Sequence, residues 1–382
     1  MKIKTLTTYN VYNYGASLQA YALMTYLSQL GHDVEIINYQ PEYLTRKYNY
    51  KWVNPESKMS RYALTRVVYR ILKFLQRQTT LANKRLFDNF THHMLHETTQ
   101  LYHTFDELQK NPPEADVYIV GSDQIWNIFY EAGRDPVFYL EFVDSGKRIS
   151  YAASFSYIDI DEENCERIAR SLSKFDAVSV REYHGIDILR TMGIDGTWVL
   201  DPVFLLSVDE WKKLMKPMNE TNEPYLLIYD FEGNNELKNF AIKYAKDKGL
   251  KMYSISDRAY QTRYADKHFT KTGPCEFISL IYHCSAFVSN SFHGTAFSIL
   301  NEKQFVVFNR YAENSSFSKN SRIDTLCVNF GLESRRYKNG MDLSDVVKDD
   351  IDYKAVGEKY KNLKMVTDQY LKTVLKEIRK RV

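Results

Sequence analysis

Short apolar runs alternate with helix-patterned stretches along almost the whole chain, and this alternation constrains the fold more than any other feature. A run too short for a helix and bounded by turn residues reads as a buried strand, and apolar positions at i, i+3, i+4 and i+7 read as an amphipathic helix. Strands are expected at residues 2–9, 34–38, 117–120, 149–153, 177–180 and 198–200, with a first helix over 18–30 capped by Gly31. The pattern then restarts, with strands at 225–229, 251–255, 286–288 and 304–308 and helices at 235–248, 276–283 and 295–300. Strands alternating with helices pack as a parallel sheet covered on both faces. The chain has 382 residues, more than one core normally spans, so two such domains are expected. The polar, proline-bearing stretch 207–223 marks their join. This gives a first domain over 1–210, a second over 211–350 and a terminal helix over 351–382, placed to bridge them.

Residues 42–110 interrupt the alternation and read as a largely helical insertion. Leu64, Val67, Val68, Ile71, Leu72 and Leu75 form one apolar stripe at helical spacing, with Arg66, Arg70, Lys73 and Arg77 away from its centre. From Leu44 to Arg85 there are eleven basic residues and one acidic residue, Glu56. Such a helix can lie on an anionic membrane surface. The alternative is a helical pair docked on the sheet, with its basic face in water.

Composition excludes several classes. A net charge of +3, from 51 basic and 48 acidic residues, demands no nucleic-acid partner. Cys165, Cys275, Cys284 and Cys327 form no C-x-x-C pair, so they read as reduced thiols of a cytoplasmic protein. The opening M-K-I-K-T-L-T-T-Y-N lacks the apolar core of a secretory signal. There is no P-loop, no G-x-G-x-x-G after the first strand, no G-x-S-x-G elbow and no H-E-x-x-H. His92, His93 and His96 lie in a helical stretch without an acidic partner. The 30 tyrosines bring apolar faces with polar tips, which suit carbohydrate contacts.

Five polar clusters directly follow expected strands, where a doubly wound sheet holds its ligand. In residues 10–17, Gly15 permits close backbone approach. In G-S-D-Q-I-W-N, Asp123 is placed to accept a hydroxyl proton and Trp126 to stack on a sugar. Ser154 and Ser156 form the third cluster, and S-V-R-E with Arg181 and Glu182 the fourth. The fifth surrounds His293, in S-N-S-F-H-G-T, at a strand-to-helix turn suited to an anion. Arg181 offers a fork of donors for phosphate or carboxylate, and His293 can give or take a proton. Asp201-Pro202 reads as a structural turn.

The segments N-Y-G-A-S-L-Q-A-Y-A-L, V-G-S-D-Q-I-W-N, S-V-R-E with the later V-L-D-P-V-F-L-L, and S-N-S-F-H-G-T-A-F-S-I-L together resemble the polysaccharide pyruvyl transferase family. The resemblance implies two Rossmann-like domains facing across a cleft, as in B-type glycosyltransferases (GT-B). It implies phosphoenolpyruvate as donor, and as acceptor a sugar of a surface polysaccharide or of its lipid-linked precursor. The product would be a pyruvate ketal, with phosphate released and no metal or organic cofactor. The protein is expected in the cytoplasm, and the basic helix, if it lies on a membrane, would put it in peripheral contact with the inner membrane face. On this basis Arg181, His293, Ser291 and Gly294 are expected at the donor, with His293 as phosphate contact or general acid. Asp123 is the expected base, and Asn13, Gly15, Gln19 and Trp126 are expected to shape the acceptor side.

One departure matters: many family members carry an arginine two positions before the histidine, where this chain has Ser291. A serine supplies neither the charge nor the bidentate geometry of a guanidinium. Arg310, Lys319 and Arg322 are the nearest cations in sequence, and Arg322, at the start of an expected helix, is the preferred substitute. Two other readings stand beside pyruvyl transfer. One is a GT-B glycosyltransferase with a nucleotide-sugar donor; the other is a non-catalytic partner in polysaccharide assembly.

Overall fold

A computed structural model of the chain describes residues 1–53, 57–78, 80–157, 160–218, 223–231, 233–256, 262–310, 320–338, 341 and 343–381. Lys319 lies outside them. The first unit is built on β1 (Lys2–Leu6), α1 (Tyr14–Gln29), β2 (Asp33–Tyr39), α2 (Ala63–Gln78), α3 (Leu81–Met94), β3 (Glu97–Tyr102), β4 (Val117–Val120) and β5 (Lys147–Ser150). A short parallel pair, β6 (Ser179–Val180) and β7 (Thr197–Trp198), extends it. The second unit contains β8 (Tyr225–Tyr229), α4 (Asn235–Lys248), β9 (Lys251–Ile255), β10 (Lys267–Phe269), α5 (Pro274–His283), β11 (Ala286–Ser289), α6 (Phe292–Leu300), β12 (Gln304–Val307) and α7 (Ser321–Phe330). The chain ends in α8 (Tyr353–Arg381).

Among the described residues all strand pairs are parallel, and the two five-stranded sheets share one topology: β3-β2-β1-β4-β5 and β10-β9-β8-β11-β12. This is the α/β architecture of two Rossmann-like units. Each sheet reverses its strand order once, between β1 and β4 and between β8 and β11, which is where ligands settle in such sheets.

One apolar core runs through both units, from Ile3 and Leu18 to Phe277 and Phe287. Tyr14 joins them: its ring stacks on Phe277 at 4.5 Å and 3°, and it meets Tyr229 edge-on at 5.7 Å and Phe87 at 5.1 Å. α8 spans the same join. Its first residue, Tyr353, donates to the Lys303 carbonyl of the second unit. Further along, the Tyr370 hydroxyl donates to the Ser150 carbonyl at 3.1 Å, and the Thr367 hydroxyl accepts from the Leu200 amide at 3.0 Å.

Several sequence expectations change. α1 begins at Tyr14 rather than 18, because the Asn13 side chain caps it by accepting from the Ala16 amide at 3.2 Å. β1 ends at Leu6 rather than at 9, which frees the following residues as a loop over the sheet. β3 falls inside the stretch expected to be largely helical; its residues E-T-T-Q-L-Y lie on a sheet edge, where burial does not demand an apolar run. The edge strand β10 was hidden for the same reason. The expected docking of a helical pair by its apolar stripe is reversed in α2, which keeps Lys73 buried and leaves Leu64, Ile71 and Leu75 exposed. The four cysteines are free thiols, Cys165 half-buried and the others buried.

Tyr14→Ala removes the ring that both units share, and should cost about 3 kcal/mol or more in urea unfolding. A loss below about 1 kcal/mol would mean that the join is held elsewhere.

Candidate active site

The loops after β1, β4, β8 and β11 run from the two order reversals into one cleft between the units. That cleft is lined by Asn13 after β1, Asp123 and Gln124 after β4, Phe231 after β8, and Asn290, Ser291 and His293 after β11. Arg310, which follows β12, and Arg322, in the first turn of α7, complete the wall. It encloses a cavity of about 50 Å³.

Behind the cleft lies a buried charge cluster centred on Arg181. Its Nη1 donates to Asp201 Oδ2 at 2.7 Å, its Nη2 to Asp123 Oδ1 at 3.2 Å and its Nε to Glu182 Oε1 at 3.3 Å. A guanidinium taken this far from water must be paired on every edge, and here each edge has its own carboxylate. The Phe292 ring lies 4.6 Å from its Cζ. The arginine expected to grip the donor is therefore saturated by protein groups and does not line the cleft.

The carboxylates differ. Burial disfavours the charge of Asp123, but Arg181, His293 and Arg322 outweigh it and hold the group below the usual aspartate range. Asp201 is likewise buried, and His293 and Arg181 hold it well below the usual aspartate range. Burial dominates at Glu182 and raises it, with Arg181 and the Ser154 hydroxyl opposing; its Oε2 has no hydrogen-bond partner among the described residues. Asp123 sits at φ 68°, a left-handed conformation that turns its carboxylate back to Arg181. Strain of this kind costs energy and is retained where a side chain must be aimed.

Asp201 carries the cluster to the second unit. One oxygen, Oδ1, accepts from the Val203 amide at 3.1 Å and caps a short 3₁₀ turn, Pro202–Phe204. The other lies 3.6 Å from His293 Nε2, too long for a hydrogen bond, and that nitrogen has no other partner among the described residues. On the opposite edge of the ring, a Cβ built on Gly15 would come within 2.0 Å of Nδ1. Any other residue at that position would collide with the imidazole, so the glycine of N-Y-G admits His293 against the start of α1.

Ser291 serves the fold. Its hydroxyl accepts from the Gly294 amide at 3.1 Å and caps α6. This corrects the expectation for Gly294, whose N–H is consumed by the cap and which does not line the cleft. Two acceptor-side expectations also change. Gln19 is fully buried, donating to Thr7 and the Ala16 carbonyl and accepting from the Ser122 amide at 3.1 Å, so it ties the β1 and β4 loops together. Trp126 is fully buried against Tyr139 and Phe155, its Nε1 donating to the Phe138 carbonyl at 3.0 Å, and it offers no face to a sugar. Asn13 lines the cleft, though its side-chain oxygen serves the α1 cap.

Cationic character on the cleft wall comes from Arg322 and Arg310. Arg322 is buried with no partner at Nε among the described residues, and its Cζ is 5.9 Å from the same Phe292 ring that Arg181 covers. Burial and the like charge of Arg181 push it down to about 10, a direction opposite to that of Arg181, which its carboxylates raise. Arg310 lies over the Phe231 ring at 4.3 Å. Sequence reasoning missed Asp201 because the D-P pair reports only the turn its first oxygen caps. It missed Asn290 because that side chain, donating to Asp230 Oδ1 at 2.8 Å, joins two loops 60 residues apart.

The family profile described as Polysaccharide pyruvyl transferase matches residues 13–311. No curated protein matches the chain significantly. Among solved structures, Arabidopsis thaliana UGT89C1 complexed with UDP-L-rhamnose aligns with a TM-score of 0.50 at 9% identity, covering 99% of this chain and 98% of its own. UDP-GlcNAc 2-epimerase from Neisseria meningitidis aligns at 0.47 and 10% identity, covering 98% and 100%. The ADP-heptose heptosyltransferase II of E. coli gives 0.38 at 11%, covering 96% and 99%. At these identities the likeness concerns the fold alone.

Asp123 and Asp201 contribute stability that is in place above the unfolded aspartate value of 3.8 and is lost as the pH falls through their lower folded values. Asp201→Asn leaves Arg181 short of a charge and should cost about 3–5 kcal/mol at neutral pH. Urea titrations across the acid range should show that gap narrowing as the pH falls; a gap that is constant with pH would remove Asp201 from the ion pair.

Proposed function

We propose, for a chain that belongs to the polysaccharide pyruvyl transferase family, that the cleft takes phosphoenolpyruvate as donor and forms a pyruvate ketal on a sugar. The observation that carries this reading is Arg322: a buried guanidinium with an unpartnered Nε on the cleft wall, pushed down to about 10 by burial and by Arg181. A multiply charged anion bound beside it would relieve both effects. Arg310 on the same wall and the N-terminus of α6 add to the attraction. In this reading Arg322 and Arg310 take over from the family arginine, and Ser291 keeps only its role as a helix cap.

The reaction needs one proton delivered to the donor methylene and two hydroxyl protons removed. Protonation of that carbon leaves positive character on its neighbour, where the first sugar oxygen bonds. The phosphate–carbon bond then breaks, phosphate leaves, and the second sugar oxygen closes the ketal. One hydroxyl proton replaces the proton delivered to the methyl group, and the other leaves with phosphate. His293, on the cleft wall with Nε2 free of hydrogen-bond partners among the described residues, is suited to deliver the proton. Asp123 borders the cleft as a carboxylate and is suited to accept a hydroxyl hydrogen bond. Its low proton affinity makes it an orienting group for the attacking hydroxyl rather than a strong base. Arg181 acts through these two aspartates, as a positioning residue.

Phosphoenolpyruvate should raise the melting temperature, and phosphate release should require a carbohydrate acceptor. Stabilisation by a nucleotide sugar but not by phosphoenolpyruvate would replace this reading with a glycosyltransferase. Arg322→Gln should raise KM for phosphoenolpyruvate by about tenfold or more, the worth of a charge-assisted contact. An unchanged KM would take Arg322 out of the donor site. His293→Ala should abolish phosphate release with the fold intact, and near-normal turnover would reject its assignment.

A further inference from the structure

Helix α2 docks with its polarity reversed. Its buried contact is a cation: Lys73 is buried and its ammonium donates to the carbonyls of Arg46, Asn49 and Trp52 at 2.8, 2.6 and 3.3 Å. Arg70 Nε donates to the Lys51 carbonyl at 3.1 Å. The opposite face holds Leu64, Val67, Ile71, Phe74 and Leu75, all exposed, with Leu64 at 76%. A contiguous apolar face of this kind on a water-facing helix marks a surface that something covers.

Charge says what covers it. The segment from Leu44 to Arg85 carries eleven basic residues against one acidic, whereas the rest of the chain holds 40 basic and 47 acidic. Behind α2 a cavity of about 390 Å³ is lined by Arg46, Lys47, Trp52, Tyr69, Lys73 and Arg77. Arg46 and Arg77 each keep a buried Nε without a hydrogen-bond partner among the described residues, and Arg46 and Lys73 lie over the Trp52 ring at 4.8 and 5.0 Å. An apolar face backed by two guanidiniums with unpartnered Nε groups, of which Arg46 also pairs with Glu131 through Nη2, fits a surface of acyl chains and phosphate headgroups. A second copy of the chain fits poorly, since a symmetric contact would set one basic segment against its twin.

We propose that α2 and the basic cavity behind it dock this protein on an anionic phospholipid bilayer. The apolar face enters the acyl boundary, and headgroup phosphates meet Arg46 and Arg77. The docking segment also reaches the cleft: Lys47 Nζ donates to the Tyr12 carbonyl at 3.2 Å, next to Asn13 on the cleft wall. Docking stands independently of the donor chemistry, and it would hold the cleft mouth near the bilayer surface.

Co-sedimentation of the full chain with vesicles tests this. Binding to phosphatidylcholine vesicles containing phosphatidylglycerol should exceed binding to phosphatidylcholine alone by about tenfold or more, and should fall as salt is raised. The double variant Ile71→Ser/Leu75→Ser alters exposed positions and should melt like the parent while losing most vesicle binding. Arg46→Gln/Arg77→Gln should lower binding to the anionic vesicles selectively. No binding, equal binding to both vesicles, salt-independent binding or parent-like binding by the serine variant would each overturn the proposal. A dimer in sedimentation velocity that the serine variant dissolves, without vesicle binding, would assign the face to a second copy.

Discussion

A buried guanidinium that cannot be left unpaired organises the centre of this molecule. Arg181 draws Asp123 from the β4 loop, Glu182 from its own loop and Asp201 from the turn after β7 into one cluster. Without those partners the charge would cost several kcal/mol to bury, and without the charge three carboxylates would repel one another. Asp201 extends the cluster to His293, and Gly15 admits the histidine ring from the other side. The union of the two units and the placement of the imidazole are thus one packing problem. Tyr14, one residue before Gly15, stacks on Phe277 and closes it.

The same arrangement separates roles that look alike in the sequence. Arg181 holds the aspartates, whereas Arg322 and Arg310 give the cleft its positive wall. Ser291, which departs from the family's arginine, has been absorbed into the cap of α6. A protein that loses a cation at one point of an anion site needs another cation reaching the same space. In the proposed reading Arg322, at the start of α7 on the cleft wall, is that cation.

Much of the architecture was legible in the sequence, because a buried parallel strand must be an apolar run. β4, β8, β9 and β11 are such runs, and their expected bounds agree with the structure to within a residue. β3 and β10 were missed because edge strands carry no such requirement. At the site, residues after strands were found by position, but their roles were not. Trp126 and Gln19 follow the same positional rule as Asp123, yet they turn inward, and only tertiary packing decides which way a loop residue points. Asp201 was concealed by its own capping of Pro202–Phe204.

The central claim is that the meeting point of the two sheets' order reversals is an anion site built on Arg322 and His293. A crystal structure of the chain soaked with phosphoenolpyruvate tests it most directly. The account predicts the donor in the cleft, with an anionic group hydrogen-bonded to the Arg322 guanidinium and the methylene carbon facing His293. A donor bound away from both residues, or density in the cleft only with a nucleotide sugar, would contradict it.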